Sequence, residues 1–304
     1  MELFDVHILG CGSALPTLRH FPSSQVVNLR EKLFMIDCGE GAQVQLRRSR
    51  QKFSRLNHIF ISHLHGDHCF GLPGLISTLS MLGRTADLHI YSPKGFKQLL
   101  EPWMNSFAFN LGYQLVYHEF DTKQSTLIYD DRSLSVTTIP LYHRIPCSGF
   151  LFKEKPCSDH IIRDMIDFYK IPLYELNRIK NGGDFVTPEG EFVTHSRLTT
   201  PSDPPRSYAY CSDTMFNEAI VPIIKGVDLL YHEATFAESE LARAKETCHS
   251  TASQAARIAQ LAGVKKLVIG HYSARYDDEQ ILLKEASDVF GNTQLAQENL
   301  CISI

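Results

Sequence analysis

The sequence predicts an α/β protein made of two strand–helix halves that flank one insertion. Three observations carry that expectation. Short apolar runs alternate with helix-period stretches up to about Phe152 and again from Tyr208. Between them, residues from about 155 to 205 are polar and punctuated by proline and glycine, as an insertion standing off a folded body would be. Apolar strand-type runs also end repeatedly in histidine or aspartate.

In the first half, FDVHILG, SQVVNLR and KLFMIDCG read as strands, and GAQVQLRRS as a helix opened by glycine. The strand HIFISH, the helix LPGLISTLSMLG, the strand LHIYS and the helix GFKQLLEPWMNSF follow. YQLVYHEF, TLIYD and LSVTTIPLYH close the half as strands. The insertion shows only two short helical patterns. From Tyr208 the rhythm resumes through YAYCSDT, EAIVPIIKG, VDLLYHEATF, ASQAARIAQLAG, KKLVIGHYS, EQILLKEASDVFG and a closing ENLCISI. No short repeat or low-complexity tract interrupts it. At 304 residues and 43% apolar content, the chain can bury a large core as a single unit.

Charge excludes one class of function. Aspartate plus glutamate (34) exceed lysine plus arginine (30), so no cationic field covers the molecule and any nucleic acid must be gripped locally. The run LRRSRQKFSR offers such a grip, with Arg47, Arg48, Arg50, Lys52 and Arg55 and no acidic residue between Glu40 and Asp67. A solvated helix face explains the same run equally well. The start MELFDVHILG lacks a basic stretch before an apolar one and does not read as a signal peptide; no apolar stretch approaches a membrane span. Eight cysteines without a CxxC pair point to reduced thiols and a cytoplasmic home.

The densest chemistry is HLHGDH. His63 and His65 are two apart in an extended segment and face one side, while Asp67 and His68 sit where the chain turns toward a helix. Imidazole and carboxylate suit zinc, and four donors are too many for one catalytic ion that keeps an open position, so two metals are the economical reading. Further ligands are then required at strand ends. His143, Asp213 and His271 each terminate an apolar run, and His118 competes with His143 for the same role; spacing does not separate them. Glu233 in YHEATF and His249 in CHST add two acid–base groups, although Thr251 and Gln254 also fit a capping box that would need HST only to start a helix.

HLHGDHCFGLPGL, LYHRIPCSGF, CSDT, HEATF, CHSTASQA and GHYSARY occur in this order. Together they resemble the ribonuclease Z family of metallo-β-lactamase-fold enzymes, in its short bacterial form, over nearly the whole chain. The resemblance implies a four-layer αββα sandwich occupying residues 1–304, with about 155–205 as an inserted tRNA-binding arm. It implies one zinc held by His63, His65 and His143, a second by Asp67, His68 and His271, and Asp213 bridging them. His143 is preferred to His118 because only it precedes the matching SGF segment. Asp67 is implied as ligand and general base, and Glu233 with His249 as a coupled proton donor. The implied substrate is precursor tRNA, cut after the discriminator nucleotide to leave a 3′-hydroxyl on the tRNA and a 5′-phosphate on the trailer, by a homodimer.

Two stretches depart from the family pattern. The arm reads KIPLYELNRIKNGGDF, with Pro172 but no preceding glycine, and the loop near the start reads LPTLRHFPSS, keeping Pro16, Arg19 and Ser23 without the usual lysine and asparagine. The competing readings are a phosphodiesterase of the same fold acting on other nucleotides or RNAs, a thioester or lactone hydrolase, and an RNA-binding module with structural zinc. The full ligand set argues against the last.

Overall fold

The computed structural model describes residues 3–15, 17–106 and 111–304; Pro16 and Phe107, the last residue of the expected helix GFKQLLEPWMNSF, lie outside the described residues. Residues 154–205 form one compact unit, and residues 2–153 with 206–304 another.

In the larger unit β1 (Phe4–Gly10), β2 (Ser24–Leu29), β3 (Lys32–Ile36), β4 (Leu56–Phe60), β5 (Leu88–Pro93) and β6 (Leu115–Phe120) lie side by side in chain order. The first three are antiparallel and the last four parallel. Arg30 and Glu31, at φ 50° and 66°, make the two-residue turn that joins β2 to β3 with the twist a hairpin needs. The chain continues through β7 (Leu127–Asp130), β8 (Leu134–Pro140) and β9 (Ser148–Glu154). It then passes through the smaller unit, where β10 (His160–Ile161) pairs with β13 (Thr199–Thr200) and β11 (Phe185–Val186) with β12 (Phe192–Val193). It returns as β14 (Ser207–Cys211), β15 (Leu229–Glu233), β16 (Lys266–Gly270) and β17 (Thr293–Leu295), parallel to one another, while β18 (Cys301–Ser303) closes the edge of the first sheet beside β1. The second sheet runs β17-β16-β15-β14-β9-β8-β7.

The two sheets pack face to face through aromatic side chains. Phe60 meets Phe150 and Phe152 edge-on, with ring centroids 5.5 Å apart in both pairs, and Phe34 meets Phe152 at 6.1 Å. All four rings are fully buried, which stabilises the fold by about 1.5–3 kcal/mol each relative to exposure. Helices α1 (Ala42–Arg48), α2 (Gly66–Cys69), α3 (Leu72–Met81) and α4 (Phe96–Ser106) follow the strands of the first sheet; Leu46, Leu75, Leu79 and Leu100 from this set cover its outer face at Val26, Met35 and Ile59. The smaller unit contributes α5 (Arg163–Phe168), α6 (Leu176–Lys180) and α7 (His195–Leu198), and the second half α8 (Leu241–Thr247), α9 (Ala252–Ala262) and α10 (Gln280–Val289). Ala255, Ala256 and Ala259 let α9 approach β15 and β16 closely, and with α10 it forms the fourth layer. The expected αββα sandwich is what the larger unit forms.

Three local expectations differ from the structure. SGFLFKE, which carries no strand expectation, is β9, a strand between β8 and β14 with Phe150 and Phe152 in the core. EAIVPIIKG forms only a one-turn 3₁₀ segment, Glu218–Ile220, because Pro222 removes a donor and crowds the turn before it. The insertion holds three short helices and two small ladders rather than two helices, around Tyr169, Ile171, Ile179, Phe185, Val193 and Leu198. No disulfide joins the eight cysteines, and no helix of the described residues is long and apolar enough to cross a membrane.

Candidate metal centre and catalytic cleft

Parallel strands bring chain ends to one edge, and the ligand-type residues collect there. His63, His65, Asp67 and His68 follow β4, and α2 begins at Gly66 within the same loop. His143 lies three residues beyond β8, Asp213 two beyond β14, and His271 directly after β16. Glu233 is the last residue of β15, in register with Gly270 of β16, and His249 lies between α8 and α9.

Asp213 organises the group. Its Oδ2 lies 3.7 Å from His63 Nε2 and 3.9 Å from His143 Nε2, while its Oδ1 lies 3.1 Å from His271 Nε2 and 3.5 Å from His68 Nε2. Asp67 Oδ2 faces the second pair, 3.5 Å from His68 Nε2 and 3.7 Å from His271 Nε2. His63, His65, His143 and Asp213 therefore face one small volume, and Asp67, His68 and His271 face another, joined by one carboxylate.

These donors fit zinc. His65 Nδ1 is 3.0 Å from His63 Nε2 and 3.3 Å from His143 Nε2. Tetrahedral zinc with bonds of about 2.0–2.1 Å holds its nitrogens about 3.3 Å apart. Nε2 of His68 and of His271 are buried without a hydrogen-bond partner, a costly state that a cation relieves. The opposite ring nitrogens are spoken for. His68 Nδ1–H donates to Asp37 Oδ2 (2.7 Å), His271 Nδ1–H to Thr235 Oγ1 (2.9 Å), His143 Nδ1–H to the Cys248 carbonyl (3.1 Å) and His63 Nδ1–H to Ser62 Oγ (3.0 Å). Each bond selects the tautomer that presents Nε2 to the site.

Electrostatics splits the imidazoles. Burial holds His63, His65 and His143 below the ordinary histidine value, while Asp213 pulls the other way on each. Burial also opposes charge on His68, yet the carboxylates of Asp213, Asp37 and Asp67 push it up to about 10. Protons collect where three carboxylates surround an imidazole, and cations take that place when bound.

Beside this centre, His249 Nδ1–H donates to Glu233 Oε1 (2.8 Å). Burial counts against a charged His249, but Glu233 raises it to about 9. Glu233 is fully buried and also accepts from the Thr214 N–H (2.7 Å), the Ser250 N–H (3.1 Å) and the Thr235 hydroxyl (2.6 Å). The capping box at Thr251 and Gln254 forms in full, so HST both starts α9 and points His249 at the centre. A cleft of about 640 Å³ opens over these groups. His65, Asp67, His143 and His249 line it, and Arg144, Arg243 and Arg275 add positive charge to its wall.

His118 does not join the centre. It lies within β6 and shares a 3.0 Å hydrogen bond with His89. Arg47, Arg48 and Arg50 are exposed at and just past the end of α1, with Arg48 6.0 Å from the Phe21 ring, and Arg55 pairs with Glu31. Five contributors were not anticipated: Asp37, Thr235 and the cleft cations Arg144, Arg243 and Arg275. Asp37 carried a signal, since KLFMIDCG is another apolar strand run ending in a ligand-type residue. It is fully buried and accepts from Ser62 N–H (2.7 Å), Ser62 Oγ–H (2.8 Å) and Tyr210 O–H (2.8 Å) as well as His68.

The family model of the Anti-Pycsar protein Apyc1 matches residues 4–143. Among solved structures, the short form of human tRNase Z is similar at a TM-score of 0.72 and 28% identity over 99% of both chains. The metallo-β-lactamase-fold protein YhfI of Bacillus subtilis is similar at a TM-score of 0.70 and 16% identity over the whole of both, a likeness of fold. Ribonuclease Z of Bacteroides fragilis is 73% identical over all 304 residues and covers the whole of both chains, and that of Porphyromonas gingivalis is 56% identical over the same span. The centre described above thus sits in a metallo-β-lactamase fold, and the chain belongs to the ribonuclease Z family.

Proposed function

We propose that this chain is a zinc-dependent endoribonuclease that removes the 3′ trailer of precursor tRNA by hydrolysing the phosphodiester after the discriminator nucleotide. The observation that carries the reading is Asp213, whose two oxygens each face a separate set of imidazole nitrogens. His63, His65 and His143 would hold one zinc, Asp67, His68 and His271 the second, with Asp213 shared. Two such ions, when bound, would lower the pKa of a water toward neutrality and neutralise charge growing on the phosphoryl oxygens. Asp67 turns Oδ2 toward the centre, which leaves Oδ1 to accept a hydrogen bond from the attacking water as general base. His249, held as a cation by Glu233, donates its Nε2 proton to the leaving 3′-oxygen, so that the tRNA departs with a 3′-hydroxyl and the trailer with a 5′-phosphate. Glu233 lies too deep to touch substrate and acts through His249 as a positioning residue.

Arg144 gives the acidic protein local charge for the phosphates beside the cut, with Arg243 and Arg275, which pair with Glu246 (3.6 Å) and Glu240 (2.7 Å), on the same wall. Residues 155–205 supply none of the centre's side chains, and in this reading they bind a remote part of the tRNA, as an arm used by a homodimer in the cytoplasm. A single experiment tests the whole reading. Purified protein is analysed for zinc and incubated with a precursor tRNA, and the new 3′ end is mapped. About two zinc ions per chain and a cut after the discriminator are expected. Metal-free protein that cleaves, or a scatter of cuts, would refute it; the latter would favour a phosphodiesterase acting on other nucleotides or RNAs.

A further inference from the structure

Outside the metal centre, a second charged cluster joins Arg19, His20 and Phe21, in the loop after β1, to the C-terminal third of the chain. His20 donates from Nδ1 to Glu298 Oε2 (3.0 Å) and from Nε2 to Glu279 Oε1 (3.2 Å), and its side chain is 12% exposed. Arg19 reinforces the grip, reaching Glu279 Oε1 (3.0 Å) and the carbonyls of Asp277 (2.5 Å) and Tyr276. The Phe21 N–H adds a bond to Glu298 Oε1 (2.9 Å). Both nitrogens of one imidazole on two carboxylates describe a cation, and those two carboxylates hold His20 above the ordinary histidine value although burial opposes it.

The loop so held reaches the catalytic cleft. Ser13, Ala14, Leu15 and Pro22 line it, and Leu15 is 69% exposed there. The base of the loop is closed by Gly12 N–H to the Phe21 carbonyl (2.9 Å) and by Ser13 N–H to the Tyr272 carbonyl (3.0 Å). Gly10 permits this closure, because a Cβ there would stand 1.9 Å from the Pro22 carbonyl oxygen. At the turn, Ala14 N–H donates to Asp67 Oδ2 (2.8 Å), the same oxygen that faces His68 and His271. Ala14 adopts φ 44°, a backbone region an alanine avoids unless its surroundings impose it. Arg19, one of the few loop residues shared with the family pattern, is occupied by protein carbonyls and Glu279.

We infer that His20 is a positioning residue for hydrolysis: clamped between Glu279 and Glu298, it locks the loop so that the Ala14 N–H orients the Asp67 carboxylate. The inference rests on the proposed role of Asp67 but needs no tRNA. Both Asp67 oxygens could otherwise compete for the centre, and a donor on Oδ2 fixes which one faces it. Supporting groups of this kind, bonded to a ligand from outside the metal's own shell, are typically worth about 10–100-fold in metal affinity or activity.

The test uses His20→Ala and His20→Gln in the full chain, with Glu279→Gln as a second way to open the clamp should either fail to fold. Three readouts are compared with the parent: amide hydrogen exchange across residues 11–22, the visible spectrum of the cobalt-loaded protein, and kcat and KM on bis(p-nitrophenyl) phosphate and on a precursor tRNA. The expected result for His20→Ala is faster exchange in the loop, a shifted cobalt spectrum at unchanged metal content, and kcat lowered about tenfold or more on both substrates, with partial recovery in His20→Gln. Unchanged exchange and spectrum would overturn the inference. So would a loss confined to KM for precursor tRNA, which would place the loop's role in RNA contact. Exchange and spectrum do not depend on what the natural substrate is, so they fail separately from the proposed function.

Discussion

Two histidine clusters, one within the first sheet and one where strands of both sheets end, carry opposite chemistry. His58, His89 and His118 stand on neighbouring strands β4, β5 and β6, their rings stacked at 5.1 and 5.3 Å. A few residues further along the chain from β4, His63, His65 and His68 meet His143 and His271 at the strand ends. In the mid-sheet cluster His89 and His118 share a hydrogen bond while His58 stacks on His89, and burial with its histidine neighbours drives His58 down to about 4. At the strand ends, Asp37, Asp67 and Asp213 interleave with the rings, and His68 rises to about 10 against burial. Burial among other imidazoles disfavours charge on His58 and His118; interleaved carboxylates and free Nε2 atoms make a place for cations.

The sharpest way to break this contrast is Asp213→Ala, which removes the carboxylate that faces both halves of the centre. Zinc content should fall at both positions, and precursor cleavage by more than the roughly 10²–10⁴-fold that a single acid–base group contributes. Metal analysis beside single-turnover rates checks it; retention of both ions would show that Asp213 is not shared. His249→Ala should come next, slowing cleavage about 10²–10⁴-fold with zinc retained. Because Glu233 acts through His249, Glu233→Gln with His249→Ala should be little slower than the worse single variant. Multiplicative losses would mean that the two groups work independently.

A smaller effect belongs to Asp37, whose carboxylate fixes the His68 tautomer from behind. Asp37→Asn should weaken zinc binding or activity about 10–100-fold, as read by competition with a chelator. Equal affinity in variant and parent would show that the carboxylate serves only the packing around Ser62 and Tyr210.

How much of this was legible beforehand depends on where the information resides. HLHGDH announced itself because four donors occupy six adjacent positions, and YAYCSD, HEATF and KKLVIGH followed from the same strand-end pattern. His118 and His143 could not be separated that way. Both follow apolar runs, and only the second sheet, which carries β8 against β9, decides that His143 reaches the centre. Asp37 satisfies the pattern, but one aspartate after a strand is more often a turn residue, and its role depends on Ser62, His68 and Tyr210, which are distant in sequence. β9 was hidden by its neighbours, a proline and cysteine before it and the charged KEK at its end. In the smaller unit the strands are two residues long, too short for any period to register, and only the shared core around Ile179 and Leu198 holds them.

The mid-sheet stack supplies the last and smallest effect on activity, and its own signature in stability. His58 packs between the rings of Phe34 (5.4 Å) and His89 (5.1 Å) with Tyr129 edge-on at 4.8 Å, and no carboxylate among the described residues bonds to it. Its folded value of about 4 lies below the 6.5 of a free histidine. The unfolded chain therefore binds the proton more readily than the folded one. Stability from the neutral ring is complete above pH 6.5 and is lost as the pH falls from 6.5 toward 4, by about 3 kcal/mol at most for this group. His58→Phe keeps the aromatic packing and cannot be protonated, so urea unfolding between pH 7 and pH 4 should show a shallower acid limb. Zinc content and cleavage rate at pH 7 should stay within about twofold of the parent, as for a surface or packing change remote from the site. An acid limb as steep as the parent's would move the sensitivity to the strand-end carboxylates, and a loss of zinc would erase the distinction between the two clusters.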